Sequence, residues 1–449
     1  MRGVLRAMAW IVGGLCLCLL GAYALLLAIN ARDEAPSPQA VALDEIVASR
    51  PAVAEAGNGF IYLQGMAVDG ESPMAVGRLR VQAMAAGAQA AAPEAPDRPY
   101  RKQRTAEVTA FSKACGEDQR GCAPALAGPA NEPVARQWLE SEAWLLARYH
   151  TLIALPGWRE TWTGQYQQTP NYAPAMDGQR LLLVQAWLAA RAGDRATVVR
   201  LLDEDMRFWR LVLRDADTLM SKIIATAALN RNFAMGNLVL RELGPGQDGA
   251  VPPAWQVPLG DDERAMSRAL AGELRYSRQA MQALSAAEAT ALAEPGQSAG
   301  SRLLDRLGRP LFQPQATLNL TAARLQALAV ASTADYPALP AALASADIAP
   351  RARGWRWLFN PTGRVLVTAA DGMYASYALR VADLEGMRRA ALEATRLRAA
   401  GVAADDVAAR LAAADALRDP YTGAPLGWEE GAIRFNGHDS RRNLQLIVY

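Results

Sequence analysis

A stretch of about twenty residues without a charged side chain, Trp10–Ile29, lies near the N-terminus. At about 1.5 Å of rise per residue, a helix of this length crosses the hydrocarbon core of a bilayer. Arg2 and Arg6 precede the stretch and acidic residues follow Arg32, so the positive-inside rule predicts a cytoplasmic N-terminus and an external remainder. The alternative is a signal peptide cleaved after Ala31, but the apolar stretch is longer than signal peptides usually carry. We therefore expect a retained single-pass anchor.

The four cysteines fall into two pairs. Cys16 and Cys18 lie inside the apolar stretch, whereas Cys115 and Cys122 enclose a short polar loop. In an oxidising compartment the second pair is most simply a disulfide, which would stabilise the fold by roughly 2–3 kcal/mol in the chain-entropy model. Two thiols without a nearby histidine or further cysteine cannot complete a tetrahedral metal site. The sequence therefore predicts a structural disulfide, no metal and no cofactor.

The charge balance argues against a nucleic-acid partner. The 449 residues hold 47 basic and 45 acidic side chains, a formal charge of +2, so no basic footprint is evident. Only three of the basic residues are lysines and alanine is abundant, which is typical of a GC-rich bacterial genome. Together with the anchor and the disulfide, this composition predicts an inner-membrane protein with a periplasmic bulk, in contact with inner-membrane lipid and an envelope protein partner.

The external part is predicted to be mostly α-helical, with helical hairpins and a small C-terminal antiparallel β meander. Composition shifts and Pro/Gly-rich stretches suggest five segments. They are the cytoplasmic tip and anchor (1–32), a Pro/Ala-rich tether with short helices and the cysteine pair (33–130), a helical hairpin region (131–250), a second helical region (251–418) and the β meander (419–449).

Periodicity places the individual elements. Gly193 and Asp194 separate two helices as a left-handed C-cap and the next N-cap, which makes an antiparallel hairpin. The apolar face of the second helix contains Val198, Leu202, Met206, Trp209 and Leu213, and an earlier helical face contains Trp138, Glu142, Leu145, Tyr149 and Ile153. Further helices are predicted at Leu219–Leu243, Leu318–Ser332, Ala370–Ala400 and Ala404–Leu417, and strands at Ala432–Asn436 and Leu444–Tyr449.

Three short runs, Asn58–Gly65, Leu311–Asn319 and Asp419–Leu426, resemble segments of uncharacterised proteobacterial envelope proteins that are anchored at the N-terminus. The resemblance covers scattered motifs. It implies a location and an architecture, and it brings no activity or catalytic residue.

One aromatic segment is the clearest candidate for ligand binding. Trp158, Trp162 and Tyr166 recur every four residues and would form one stripe on a helix, with the amide of Asn171 beside them. Stacking faces and amides suit a sugar or a peptide strand, whereas the same spacing also suits core packing.

Glu140, Glu142 and Glu160 lie among tryptophans and are the candidate carboxylates for glycan cleavage. Glu142 lies on the apolar face of its helix, where burial would raise its pKa as a general acid requires; the alternative is a structural glutamate.

Two other motifs resemble functional signatures. Gly296–Gly300 matches the G-x-S-x-G nucleophile elbow and is followed by His438, but an Ala-rich helix precedes it where the motif requires a strand. We interpret it as a loop. Arg351–Trp357 is basic with interleaved aromatics and is interpreted as a solvated or structural segment; outside the cytoplasm it could contact lipid headgroups or a carboxylate of a partner.

The sequence thus favours a non-enzymatic interaction or scaffolding component of a bacterial inner-membrane and periplasmic complex, and assigns no catalytic residue. The alternatives are a peptidoglycan- or glycan-binding or glycan-cleaving envelope protein, and a carrier of lipid or small molecules with a pocket between helices.

Overall fold

The computed structural model describes residues 2–86, 102–115, 119–160, 170–244, 251–285, 300, 306–348, 354–439 and 445–449. The structure is mostly helical, at 71%, with a small three-stranded antiparallel sheet at the C-terminus, which confirms the predicted class. One helix, over Met8–Ile29, is long and apolar enough to cross a membrane.

Apart from the first, the described helices of the N-terminal third are short, and four of the described central helices are long. In the first 160 residues they are α1 (Arg2–Ile29), α2 (Pro38–Ala48), α3 (Gly59–Gly65), α4 (Pro73–Ala86), α5 (Ala106–Ala114), α6 (Gln119–Ala127), α7 (Asn131–Ser141) and α8 (Ala143–Ile153). The central helices are α9 (Ala173–Arg191), α10 (Arg195–Asp215), α11 (Leu219–Arg241), α12 (Pro253–Gln256), α13 (Asp261–Arg264) and α14 (Ser267–Ser285).

The C-terminal part continues with helices and then closes with strands. Its helices are α15 (Pro314–Ala331), α16 (Leu339–Ala346), α17 (Pro361–Thr368), α18 (Met373–Ala399) and α19 (Val407–Ala412). Single turns of 3-10 helix lie at Glu55–Gly57, Arg309–Leu311, Gly354–Leu358 and Ala404–Asp406. The strands β1 (Gly427–Glu429), β2 (Ala432–Arg434) and β3 (Leu446–Val448) pair antiparallel in chain order, which is the predicted meander.

The hairpin of α9 and α10 forms as its caps predict. Gly193 has a φ of +73°, a left-handed conformation that glycine adopts without steric cost. The side chain of Asp194 accepts a hydrogen bond from the backbone amide of Thr197 at 3.0 Å and so caps α10. All five side chains of the predicted apolar face of α10 are buried.

The helical face predicted from Trp138 to Ile153 is buried as expected, but it belongs to two helices. α7 ends before Glu142, which has a φ of −118°, and α8 begins immediately after it. At this break the Glu142 carboxylate contacts Arg104 and Trp138 inside the fold. A buried charge requires such partners, and the periodicity of apolar residues does not report them.

The core is centred on α11, which packs against α9, α10, α14, α18 and β3. The tryptophans buried in the core are Trp138, Trp158, Trp187, Trp209 and Trp255. A buried carboxylate, Asp205, accepts hydrogen bonds from Tyr149, from Gln179 at 2.9 Å and from Asn232 at 2.7 Å. Because each group in this network has a partner, it orients α8, α9, α10 and α11 relative to one another.

Two stretches with linker composition are packed against the helices. The Arg210 guanidinium donates to the backbone carbonyls of Ala254, Val257 and Pro258 at 2.7–2.9 Å, and Trp255 is fully buried. In the stretch predicted as a tether, α2 packs against α14 and α15. Hydrogen bonds to backbone carbonyls and buried apolar side chains such as Trp255 and Leu43 therefore hold these two segments against the helices.

Cys115 and Cys122 form the predicted disulfide. The same segment meets the sheet, because the side-chain amide of Gln119 donates to the Leu446 carbonyl at 2.8 Å and accepts from the Val448 amide at 3.2 Å. This side chain pairs with β3 as a neighbouring strand would.

Candidate functional site at the joint between anchor and domain

Glu142, a candidate acid from the sequence, is completely buried. Its carboxylate accepts hydrogen bonds from the guanidinium of Arg104, at 3.2 Å for the Nη2–Oε2 contact, and from the Trp138 indole at 3.0 Å. The Arg104 guanidinium also lies over the Trp138 ring. In this position the carboxylate is a structural partner of one arginine and one indole, and it does not reach solvent.

Trp158 is 1% exposed. Its ring makes edge contacts with Phe60 and Phe208, at centroid distances of 5.6 and 6.2 Å, and its indole nitrogen donates to Glu160 at 3.2 Å. Asn171 is exposed, and its side-chain oxygen accepts from the backbone amide of Ala173 at the start of α9. Trp162 and Tyr166 lie outside the described residues. Of the residues proposed for this binding site, the structure therefore describes a buried Trp158 and an exposed Asn171.

Glu160 lies in a cluster of carboxylates that the sequence did not indicate as a group. Its oxygens accept from the Asp217 amide at 2.9 Å and the Thr218 hydroxyl at 2.7 Å, and burial, with the nearby Asp217 charge, raises its pKa. Asp217 pairs with Arg50 and Arg268. A raised pKa is a property of general acids, but these oxygens are occupied by protein donors. The hydrogen bonds of Glu160 to Asp217 and Thr218 hold the start of α11 in position.

Two clefts between the described helices are small. The cleft beside Glu160 and Asp217, and a second one lined by Trp138, Arg180 and Arg231, each offer about 20 Å³ to the centres of water molecules. That volume suits about one water. Neither cleft has room for a lipid chain.

The last two turns of α1 are in contact with the rest of the domain, whereas Met8–Ala22 is exposed throughout. Tyr23, Leu26, Leu27 and Asn30 are at least partly covered, and their spacing of i, i+3, i+4 and i+7 defines one helix face. On this face the Tyr23 hydroxyl donates to the backbone carbonyl of Leu307 at 3.1 Å.

We call the contact between the end of α1 and the rest of the domain the joint. Asn30, immediately after the apolar stretch, lies at its centre and is only 4% exposed. Its side-chain amide donates to the Leu358 carbonyl at 3.0 Å, and its side-chain oxygen accepts from the Asn360 amide at 2.7 Å. Its backbone carbonyl accepts from the Gln313 side chain at 2.5 Å. Asn360 is held in a left-handed conformation, with a φ of 53°, and its own side chain caps α17.

The acidic residues that follow α1 add further hydrogen bonds to the joint. Asp33 accepts hydrogen bonds from the backbone amides of Gln315 at 2.7 Å and Ala316 at 2.9 Å, at the N-terminus of α15. A carboxylate at this helix end satisfies free amides and complements the helix dipole. The Asn319 amide reaches back to Glu34 at 2.9 Å. The end of α1 and the residues that follow it therefore join the domain through a network of buried and capping hydrogen bonds.

Exposed apolar side chains are concentrated around this joint. Outside α1, eleven large apolar side chains among the described residues are exposed, and seven of them lie in the segments that build the joint or border it. We call these seven the joint patch: Leu307, Ile348, Trp355, Trp357, Val365, Leu366 and Met373. Hydrogen bonds link its segments, from Thr362 to the Gly308 carbonyl at 3.1 Å and from Gly372 to the Asp347 carbonyl at 3.1 Å.

The residues of the joint match no functional motif in the sequence, although one signal was present. The run Leu311–Asn319, on which the family resemblance partly rests, supplies Gln313 and Asn319 to the contact with the anchor. Comparisons with known protein families, with curated proteins and with solved structures find no match to this chain. The joint and its patch are therefore the features on which a function can be based.

Proposed function

We propose that this protein is a non-enzymatic interaction or scaffolding component of a bacterial inner-membrane and periplasmic complex. A single retained helix, α1, would hold it in the membrane, with the N-terminus in the cytoplasm and the helical domain in the periplasm. The observation that carries the proposal is the joint at Asn30, which fixes the domain to its anchor instead of leaving it on a flexible tether.

A fixed joint has a functional consequence. A domain on a flexible linker samples many orientations, and an interface that it presents to a membrane partner must be ordered each time it binds. A domain held through the hydrogen bonds of Asn30 and Asp33 would present one face to the membrane plane. Such preorganisation suits a component that positions a partner rather than one that releases a product.

The two alternatives have less support in the described residues. Of the residues on which the glycan hypothesis relied, Glu142 and Trp158 are buried and engaged by neighbouring side chains, and Trp162 and Tyr166 lie outside the described residues. The carrier hypothesis requires a cavity between helices, and the clefts beside Glu160 and Arg231 suit about one water each.

The proposal is tested by crosslinking in the native membrane, detergent purification of the tagged chain and mass spectrometry of the proteins that remain attached. The tag belongs at the N-terminus, because the C-terminal Tyr449 packs against the domain and its hydroxyl donates to the Val402 carbonyl at 2.7 Å. A reproducible, stoichiometric envelope partner would support the scaffold. A chain recovered without any partner would contradict it.

Two variants sharpen this experiment. In the first, residues 10–22 are replaced by an unrelated apolar helix of equal length, which keeps Arg2 and Arg6 and preserves the joint face from Tyr23 onward. In the second, Asn30→Ala and Asp33→Ala are combined, which loosens the joint and preserves the span. We expect the first variant to retain the partner and the second to lose most of it. Loss in the first alone would assign the interaction to the lipid-facing part of α1.

A further inference from the structure

We propose that the joint patch inserts into the interfacial region of the bilayer that holds α1, so that the domain lies on the membrane surface. This inference rests on the proposed membrane anchoring, and it assigns lipid as the partner of Trp355, Trp357 and the neighbouring apolar side chains. It holds whichever side of the membrane the domain occupies.

The joint patch lies beside the last turns of α1 and not beyond the end of that helix. Tyr23 precedes Asn30 by seven residues, or about 10 Å along the helix axis. The carbonyl of Leu307 accepts its hydrogen bond from Tyr23, so Leu307 lies beside the apolar stretch and not beyond its end. When α1 spans a bilayer, this part of the domain is at the level of the headgroups or just below them.

Two segments that border the joint are basic and contain exposed tryptophans. Residues 306–318 and 354–370 contain four arginines and no acidic residue, and they include Trp355, which is 70% exposed, and Trp357. Tryptophan is enriched at membrane interfaces, and arginines there contact lipid phosphates while their stems lie in the apolar layer. Basic, aromatic and aliphatic side chains together are typical of surfaces that lie in the interface plane.

Most of the exposed large apolar side chains described outside α1 belong to the joint patch. Outside the patch and α1, the four that remain among the described residues are scattered singly: Val41, Met220, Val257 and Val330. Isolated apolar residues are normal on a soluble surface, whereas a cluster marks an interaction site. Because this cluster is continuous with the membrane helix, lipid covers it without any further component.

The experiment places an environment-sensitive fluorophore on single cysteines of the full chain in lipid nanodiscs of phosphatidylethanolamine and phosphatidylglycerol. The background carries Cys16→Ser and Cys18→Ser, and the remaining pair is protected as a disulfide. The probe positions are Trp355→Cys, Val365→Cys, Val330→Cys and Leu20→Cys. Quenching is measured with nitroxides attached to the lipid headgroup and near the start of the acyl chain.

Two positions act as references. Val330 is 71% exposed and lies about 24 Å along α15 from the joint, so its probe should remain in water. Leu20 is on the lipid-facing part of α1, so its probe reports insertion of the anchor itself. We expect lipid nitroxides to quench the Trp355 and Val365 probes several-fold more strongly than the Val330 probe. Val365→Cys keeps the test valid where Trp355→Cys disturbs the fold.

The contrary outcomes are distinct. If the Leu20 probe is quenched while those at Trp355 and Val365 remain in water, anchoring stands and the patch inference is wrong. If the probe at Trp355 is shielded in native membranes but not in pure lipid, a protein covers the patch, which also overturns the inference. If the Leu20 probe itself is not quenched, the anchoring on which both proposals rest fails.

Discussion

The side-chain oxygen of Asn30 accepts a hydrogen bond from the backbone amide of Asn360 at 2.7 Å, across a separation of 330 residues. Both residues are buried, and they connect the end of the apolar helix to the start of α17. Polar contacts of this kind cannot shift gradually, because each requires a donor and an acceptor in a defined geometry. The joint therefore has one orientation or is open.

Replacement of Asn30 by alanine should open this joint. The change removes side-chain hydrogen bonds to Leu358 and Asn360 and leaves a buried amide without a partner, at a cost of about 2–4 kcal/mol. Chemical denaturation in detergent micelles measures this loss. The exposed substitution Val330→Ala is the control and should change stability by less than about 0.5 kcal/mol. Equal stability of the two variants would show that the joint is not a stabilising contact.

Two tryptophan substitutions should differ sharply in their effects. Trp158→Ala removes a ring packed between Phe60 and Phe208 and should destabilise the domain by about 3–5 kcal/mol. Trp355→Ala removes an exposed ring and should leave the melting temperature in detergent nearly unchanged. Differential scanning calorimetry of the purified chain makes the comparison. A stable Trp158→Ala variant that fails to bind glycan would restore the original binding hypothesis for this residue.

Glu142→Gln should act as a core mutation. It leaves the largely buried guanidinium of Arg104 without its closest carboxylate, and breaking such a pair costs about 3 kcal/mol or more. Glu140→Gln, two residues earlier and exposed, is the matched control and should have little effect. Urea denaturation curves of the two variants measure the difference in their free energies of unfolding. A normally stable Glu142→Gln protein would indicate that this carboxylate has a role other than support of the fold.

Glu273 should make stability depend on pH. Burial, with a smaller contribution from Glu160, raises its pKa to about 7 despite a hydrogen bond from the Leu219 amide. The unfolded chain releases this proton near its ordinary value of 4.5, so the contribution of Glu273 is full below that pH and is lost as pH rises to about 7. Glu273→Gln should therefore gain about 3 kcal/mol relative to the wild type by pH 8.

Parallel unfolding curves of the wild type and of Glu273→Gln, recorded from pH 4 to pH 8, test this prediction. The difference between the two proteins cancels the other titrating groups. It should be near zero at the acidic end and should level off above about pH 7. A difference that stays constant with pH would mean that Glu273 titrates alike in the folded and unfolded chains.

Local signals in the sequence predicted much of the fold. The end of α9 and the start of α10 are determined by Gly193 and Asp194, which act on their immediate neighbours. The span, the apolar face of α10, the disulfide and the meander likewise depend on periodicity or on short spacings. Such signals are contained within about one helix length of chain, so a single sequence reveals them.

The joint and the burial of the candidate residues depend on contacts that are remote in sequence. Trp158 recurs with helical spacing to Trp162, and that pattern alone does not distinguish a ligand surface from a core contact with Phe60 and Phe208. Similarly, Asn30 follows an apolar stretch as many polar residues do. Its partners, Gln313 and Asn360, are identified only once the intervening chain is folded.

The distance along the chain between the two sides of the joint also orders events during biosynthesis. At about 5–20 residues per second, roughly 15–65 s separate the synthesis of Asn30 from that of its partner Asn360. For that time the anchor is made while the segments that hold it are not. The docked orientation is therefore a late product of maturation, and a ribosome stalled before residue 360 would leave a chain in which α1 is complete but not docked.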